Sequence, residues 1–216
     1  MYSQYEEETY ILTALEGRTG RYLDIGAYNA KVFSNTRALY ELGWYGVLVE
    51  PNPLLFYNLL RTCSGCGELI DFDKEIKCPQ CQSDTSYAND SRIVLINAAV
   101  GRETCMLRMF ATNDATSTAD KSTHEKWRNV VRYYGEFYTG QITLEQLSNQ
   151  FGGFDFVNID AEGMSTDLFF RMLDLEWSPR CVCLEHDGRL IELAGRYQNR
   201  YRQTYLNGTN IVLEKI

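Results

Sequence analysis

Carboxylates close several apolar runs of this chain, and four cysteines stand in two tight pairs. Asp24 lies in Tyr22-Leu-Asp-Ile-Gly-Ala-Tyr28. Glu50 ends Gly46-Val-Leu-Val-Glu50, Asp160 ends Phe154-Asp-Phe-Val-Asn-Ile-Asp160, and Glu185 and His186 end the run that starts at Cys181. A carboxylate at the end of a buried strand is costly unless it is used or paired. In an open α/β sheet, ligands sit outside the carboxyl ends of the strands, where these side chains gather. An acid at the tip of a second strand is placed to accept hydrogen bonds from a ribose diol. The turn Gly26-Ala27-Tyr28 lets the backbone approach a ligand. It lacks the G-x-G-x-x-G that cradles a pyrophosphate, since Tyr28 and Lys31 occupy the later glycine positions. A ligand with a ribose and no phosphate, such as S-adenosylmethionine, fits this pattern. Asp24 then faces the ammonium end of the ligand and Glu50 its ribose. The competing reading is a plain α/β sheet with an incidental acidic strand end.

Displacement of a methyl group from such a ligand would need positioning above all, and a hydroxyl acceptor would need a base within hydrogen-bond reach. Asp160, Glu185 and His186 are the candidate catalytic residues, with Glu162 and Asp187 beside them. His186 has the ordinary pKa for base work at neutral pH, or it is a solvent-facing turn residue. Asp160, Glu162, Glu185 and Asp187 together offer the oxygen donors that Mg²⁺ favours. His124 either reaches over the site from the Ser/Thr-rich region or sits on a surface helix.

The strongest metal signal is Cys63-x-x-Cys66 and Cys78-x-x-Cys81, separated by eleven residues. Gly67 and Pro79 suit knuckle turns. This spacing predicts tetrahedral Zn²⁺ on four thiolates, a closed and therefore structural site. Between Cys63 and Tyr87 there are five acidic residues and only Lys74 and Lys77, so the ribbon reads as a folding staple or a protein or substrate contact before a nucleic-acid reader. Cys105, Cys181 and Cys183 lack metal spacing and read as buried thiols.

These groups need elements to hold them. The pattern predicts an amphipathic helix over 4–16 with Tyr5, Ile11, Leu12 and Leu15 on its apolar side, then strands near 21–25 and 45–50 joined by a helix that Gly43 stops. Asn52 and Pro53 start a helix that runs through Leu60. Residues 63–90 break the rhythm as an insertion. Strands follow at 92–97 and 105–110, then a loop over 111–123 and a helix around 122–134. Thr143 and Gln146 form a capping box, with Ile142 stapled on Leu147. Strands at 154–160 and 181–186 bracket a helix bearing Met164, Leu168, Met172 and Leu175. A further helix over 188–197 precedes two strands, 201–206 and 210–215, around the hairpin signal Asn207-Gly208. Tyr133, Tyr134, Phe137 and Tyr138 are either core or a stacking face. Arg189, Arg196, Arg200 and Arg202 are either a contact for phosphate or a solvated face.

With 216 residues, the chain is long enough for one domain with a small insert. A net charge of −8 argues against nonspecific nucleic-acid binding. No apolar run is long enough to span a membrane. The start of the chain has neither the basic nor the apolar region of a signal peptide, and free thiols suit a reducing cytoplasm.

The chain resembles the FkbM-type methyltransferase family. The matching stretches are Tyr22-Leu-Asp-Ile-Gly-Ala-Tyr, Phe33-Ser-Asn-Thr, Gly43-Trp-Tyr-Gly-Val-Leu-Val-Glu-Pro-Asn-Pro and Ile96-Asn-Ala-Ala-Val-Gly, followed by Ile142-Thr-Leu-Glu-Gln-Leu, Phe154-Asp-Phe-Val-Asn-Ile-Asp-Ala-Glu-Gly and Asn207-Gly-Thr-Asn-Ile-Val. It departs at Asn29 and Ala30, where the family usually has an acid and a glycine. The resemblance implies one α/β, Rossmann-like class I methyltransferase domain over 1–216, with a mostly parallel seven-stranded sheet and a C-terminal β-hairpin, interrupted at 63–90 by the zinc ribbon that the cysteine spacing predicts. It implies S-adenosylmethionine as donor and a hydroxyl of a sugar, glycan or other small molecule as acceptor. Asp24, Gly26 and Glu50 carry over as cofactor contacts, with Ala27 and Tyr28 in the same turn, Asn97 and Ala98 by the adenine, and Asp160 at the site. Methylation of an RNA or nucleotide hydroxyl, and a noncatalytic binding module on the same fold, are the alternatives.

Overall fold

The structure, a computed structural model, describes residues 1–75, 77–112, 117–119, 124–125 and 129–216. In chain order the elements are α1 (Glu7–Ala14), β1 (Arg21–Ile25), α2 (Arg37–Glu41), β2 (Tyr45–Val49), α3 (Pro53–Leu60), β3 (Ile93–Ile96), β4 (Ala99–Gly101), β5 (Cys105–Thr112), β6 (Tyr133–Thr143), α4 (Leu144–Phe151), β7 (Phe156–Ile159), α5 (Ser165–Asp174), β8 (Cys181–Glu185), α6 (Leu190–Tyr197), β9 (Tyr201–Leu206) and β10 (Asn210–Lys215). Among the described residues, seven strands form one sheet in the order β3-β2-β1-β7-β8-β10-β9, parallel except for β10. This is the mixed, mostly parallel sheet of the class I methyltransferase fold.

The near-continuous apolar runs of the central strands are what a sheet buried on both faces requires. The two-residue period of a strand divides them between two cores. Leu23, Val47, Val157, Val182 and Leu184 pack against α4, α5 and α6 through Leu147, Phe169 and Leu193. Tyr22, Leu48, Phe156, Cys183 and Val212 face the other way, against Ile11, Leu39 and Leu59 of α1, α2 and α3. Each large apolar side chain buried in this way contributes on the order of 2 kcal/mol.

Local signals set the element ends. The Asn52 side chain accepts from Leu54 N and Pro53 opens α3. Thr143 and Gln146 make the reciprocal capping box on α4. After α2, Gly43 takes φ 89°, with Gly43 N on Tyr40 O and Trp44 N on Leu39 O, the paired bonds that close a helix at glycine.

The second sheet differs from the sequence expectation, which has no strand at β4 or β6 and a shorter β5. Tyr133–Thr143 is a long strand that pairs with β5 and β4 in a second, three-stranded sheet. The helix expected around 122–134 therefore fails at its end; 122–123 and 126–128 lie outside the described residues. Aromatic residues favour a pleated surface, so the Tyr/Phe cluster was itself the strand signal. Strand β5 also runs on to Thr112, and Thr118 bridges back to Phe110.

The polar side of α1 holds the other surprise. Glu7 is fully buried. Its Oε1 accepts from Asn207 Nδ2 and Asn210 Nδ2, both at 2.9 Å, and its Oε2 accepts from Tyr5 N at 3.0 Å. One carboxylate thus ties the first helix to the C-terminal hairpin. Glu7→Ala removes the acceptor of the buried Asn210 amide and one of the two acceptors of Asn207, and should lower stability by about 2 kcal/mol, read as a lower denaturant midpoint. An unchanged midpoint would refute the tether.

Candidate active site and metal centre

The carboxyl ends of β1, β2, β7 and β8 open onto a cavity of about 730 Å³. Of the residues singled out from the sequence, Asp24, Gly26, Ala27, Tyr28, Glu50, Ala98, Asp160 and Glu185 line it, whereas Asn97 and His186 do not. Parallel pairing sets Asp24 in register with Asn158. Asn158 Nδ2 donates to Asp24 Oδ1 at 2.8 Å, and Thr36 Oγ1 donates to Oδ2 at 2.6 Å. Asn35 Nδ2 in turn donates to Asn158 Oδ1 at 3.0 Å. Burial pushes the Asp24 carboxyl above its ordinary range, against the pull of these two hydrogen bonds.

Glu50, at the tip of β2, accepts from Asn52 N at 2.8 Å and Tyr28 N at 3.0 Å. Burial pushes its carboxyl up to about 7 despite both bonds, with Asp24 and Asp160 adding like charge. Asn97 supports this tip from outside the cavity: its Nδ2 donates to Glu50 O at 2.8 Å and Pro51 O at 3.2 Å. Gly26 has φ 78°, and a Cβ there would fall 1.8 Å from Asp160 O. Glycine is needed to let β1 and β7 turn past each other, whether or not a ligand also approaches. Tyr28, Phe33 and Glu162 line the cavity with left-handed backbones, φ 39°, 60° and 38°. Such conformations persist where their surroundings force them, often at functional sites.

Asp160 has an exposed carboxyl that opens into the cavity. The surrounding protein, then Asp24 and Asp187, raises it well above the usual carboxylate range. His186 is placed differently. Its Nδ1 accepts from Gly188 N at 3.0 Å, which leaves Nε2 to donate to Asn207 O at 3.3 Å. The ring is committed to the turn after β8 and to the hairpin, away from the cavity. Asp187 Oδ2 accepts from Thr166 N at 2.7 Å and holds the start of α5. The carboxylates proposed for Mg²⁺ do not converge: among the described residues, the four cysteines are the one group spaced as metal ligands. His124 stacks on Phe110 at 4.0 Å. The arginines near the C-terminus are occupied: Arg189 by Asp167 and Glu192, Arg196 by Asp174, Arg200 by Leu173 O and Arg202 by Glu214.

Residues that the sequence reading did not assign complete the site. Ser34 and Asn35 come from a stretch whose polar pattern was visible without its direction, and Asn158 is a buried amide inside an apolar strand. Gln4 and Tyr5 at one end of the chain, and Thr209 and Asn210 near the other, close one wall.

The sulfur atoms of Cys63, Cys66, Cys78 and Cys81 lie within 4.8 Å of one another, with Cys63–Cys81 and Cys66–Cys78 at 3.5 Å. Thiolates about 2.3 Å from one ion lie roughly 3.8 Å apart in a tetrahedron, so the donor set fits Zn²⁺. Each pair sits on the same turn. Gly67 N bonds Cys63 O and Gln82 N bonds Cys78 O, both at 2.9 Å, with Gly67 at φ 78° and Gln82 at φ 61°.

A seven-stranded sheet of this order, with acids at the tips of adjacent strands around one cavity, defines a class I methyltransferase fold. The chain matches the methyltransferase FkbM domain over residues 24–169, most of its length, and belongs to that family. No curated protein matches it. The family implies a methyl acceptor, small or macromolecular, and S-adenosylmethionine as donor. Among the described residues, no helix is long and apolar enough to cross a membrane.

Two outcomes are expected. Purified protein should contain about one zinc per chain by elemental analysis; a folded, metal-free sample would refute the metal centre. Glu50 ordinarily titrates at 4.5 but is held at about 7 here, so the folded chain binds its proton more tightly than the unfolded chain. Its contribution to stability is complete below about 4.5 and is lost as pH rises through about 7. Glu50→Gln should flatten the denaturation profile over that window, and a profile identical to wild type would contradict the burial argument.

Proposed function

We propose that the chain is an S-adenosylmethionine-dependent O-methyltransferase acting on a hydroxyl of a sugar, glycan or other small molecule. The observation that carries this reading is the pair Asp24 and Glu50 on one cavity, in a chain of the FkbM methyltransferase family. The residues present suit the donor: a carboxylate for a ribose diol, a second for an ammonium group, and no phosphate-binding glycine turn. Ala98 gives the adenine a small apolar neighbour. S-adenosylmethionine supplies an electrophilic methyl carbon on a positive sulfur.

The remaining work belongs to the protein. Glu50 accepts the ribose hydroxyls and Asp24 orients the amino-acid end. Leu107 and Met109 of β5, with Val130, Val131 and Phe33, give the acceptor an apolar wall, while Gln141 and Asn210 offer polar contacts. Asp160 takes the proton of the acceptor hydroxyl as the new bond to carbon forms. It lines the cavity as an exposed residue, the access to the acceptor that a base requires. Glu185 stands on the same wall and supports that charge change. His186 holds the β8 turn. Five carboxylates line the cavity, Asp24, Glu50, Asp160, Glu162 and Glu185. That field disfavours a phosphate-bearing acceptor such as RNA.

Calorimetric titration with S-adenosylmethionine and S-adenosylhomocysteine tests the reading. Both should bind at micromolar concentrations, more tightly as pH rises through about 7 and Glu50 ionises. Glu50→Ala should weaken both by about tenfold or more, because charge-assisted hydrogen bonds are lost. A folded wild-type protein that binds neither would overturn the proposal.

A further inference from the structure

The four-cysteine ribbon touches the cavity wall indirectly, and the residue that makes the link is Arg37. Its side chain is 1% exposed although it carries a full charge. Nη2 donates to Ser64 O and Gly65 O, both at 3.2 Å, and these carbonyls lie inside the first Cys-x-x-Cys turn. Nη1 donates to the Tyr87 hydroxyl at 3.2 Å, where the chain leaves the ribbon, and Nε donates to Glu41 at 2.8 Å. The backbone of the same residue faces the cavity side: Arg37 N donates to Ser34 Oγ at 3.0 Å. Ser34 lines the cavity, and its hydroxyl lies 3.3 Å from the Thr36 hydroxyl that donates to Asp24. A second contact runs in parallel. Lys31 Nζ meets Glu68 Oε1 at 2.6 Å, and the Lys31 stem lies against Gly67, so close that a Cβ there would meet it at 3.0 Å.

We propose that the ribbon is a positioning element for the cofactor site. Its metal-held turn presents Ser64 O and Gly65 O to Arg37, and Arg37 fixes residues 31–37 in the arrangement that orients Asp24. A buried guanidinium needs acceptors held in place, because losing them leaves a buried charge unsatisfied. The carbonyls of a Cys-x-x-Cys turn are fixed only while the four sulfur atoms are gathered. Metal and cofactor are then coupled ligands of one structure, and the coupling is reciprocal: each tightens the other by the same factor. This inference rests on the proposed cofactor reading and on the metal centre.

Reciprocity supplies a test that needs no acceptor and no turnover. Zinc-loaded protein is mixed with a chromophoric chelator, and zinc release is followed with and without saturating S-adenosylhomocysteine. The cofactor product should lower the equilibrium fraction released, with an apparent zinc affinity about tenfold higher, within the usual range of coupling between sites. Arg37→Lys keeps the charge but not the fork that reaches the two carbonyls, the Tyr87 hydroxyl and Glu41 at once. In a folded Arg37→Lys protein with full zinc content, cofactor affinity should fall several-fold and the effect on zinc release should shrink towards none. If wild type binds S-adenosylhomocysteine but zinc release ignores it, the positioning role is overturned while the methyltransferase reading stands. If zinc-loaded wild type does not bind S-adenosylhomocysteine, the methyltransferase reading itself fails. If Arg37→Lys does not fold, the wild-type release measurement decides alone.

Discussion

Everything around the cavity depends on how the chain buries the Asp24 carboxylate. A carboxylate withdrawn from water costs several kcal/mol unless hydrogen bonds replace its hydration. Here the replacements come from two distant stretches, Asn158 on β7 and Thr36 just before α2. The first demands the β1–β7 register, and with it a glycine at 26 so that the carbonyl of Asp160 can pass. The second demands that residues 28–36 fold back over the strand tip. Asn29 helps there by accepting from Lys31 N and Val32 N at 2.8 and 2.9 Å, which makes a tight polar turn. The shape of the cavity mouth follows from satisfying one charge.

The same logic explains why so many acids tolerate one another. Asp24 and Glu50 each have both oxygens engaged, while Asp160 keeps access to the cavity. Acids with filled oxygens can stay fixed and orient a ligand. The one whose proton affinity is raised and whose carboxyl is accessible is suited to exchange a proton. Position along the strands, rather than residue type, separates these duties.

What could be read from the sequence was what lies within a dozen residues. The apolar runs, the Asn52 and Thr143 caps, the Gly43 stop, the Asn207-Gly208 turn and the paired cysteines each carry their own geometry. Partners remote in sequence were hidden. Glu7 reads as an ordinary acid in the first turn of a surface helix until Asn207 and Asn210 arrive from the other end of the chain. Arg37 reads as a solvated helix residue until the ribbon folds over it. His186 has the chemistry of a base, and only the backbone of the following turn and the hairpin shows where its nitrogens are spent. Strand β6 escaped because Gly135 and Gly140 interrupt its pattern and its partners, β4 and β5, are short or irregular.

The tether from Glu7 to Asn210 spans 203 positions of the chain. Strand β10, which carries that asparagine, also inserts between β8 and β9 rather than adding at an edge. During synthesis, therefore, α1 is made long before the hairpin it must grip, and the cavity wall that Gln4 and Tyr5 share with Thr209 and Asn210 closes only when β10 emerges. Contacts of such high sequence separation are entropically costly to form early and slow a fold that depends on them. The cavity is thus completed only once β10 has been made, long after β1, β2 and β7 supply its other walls.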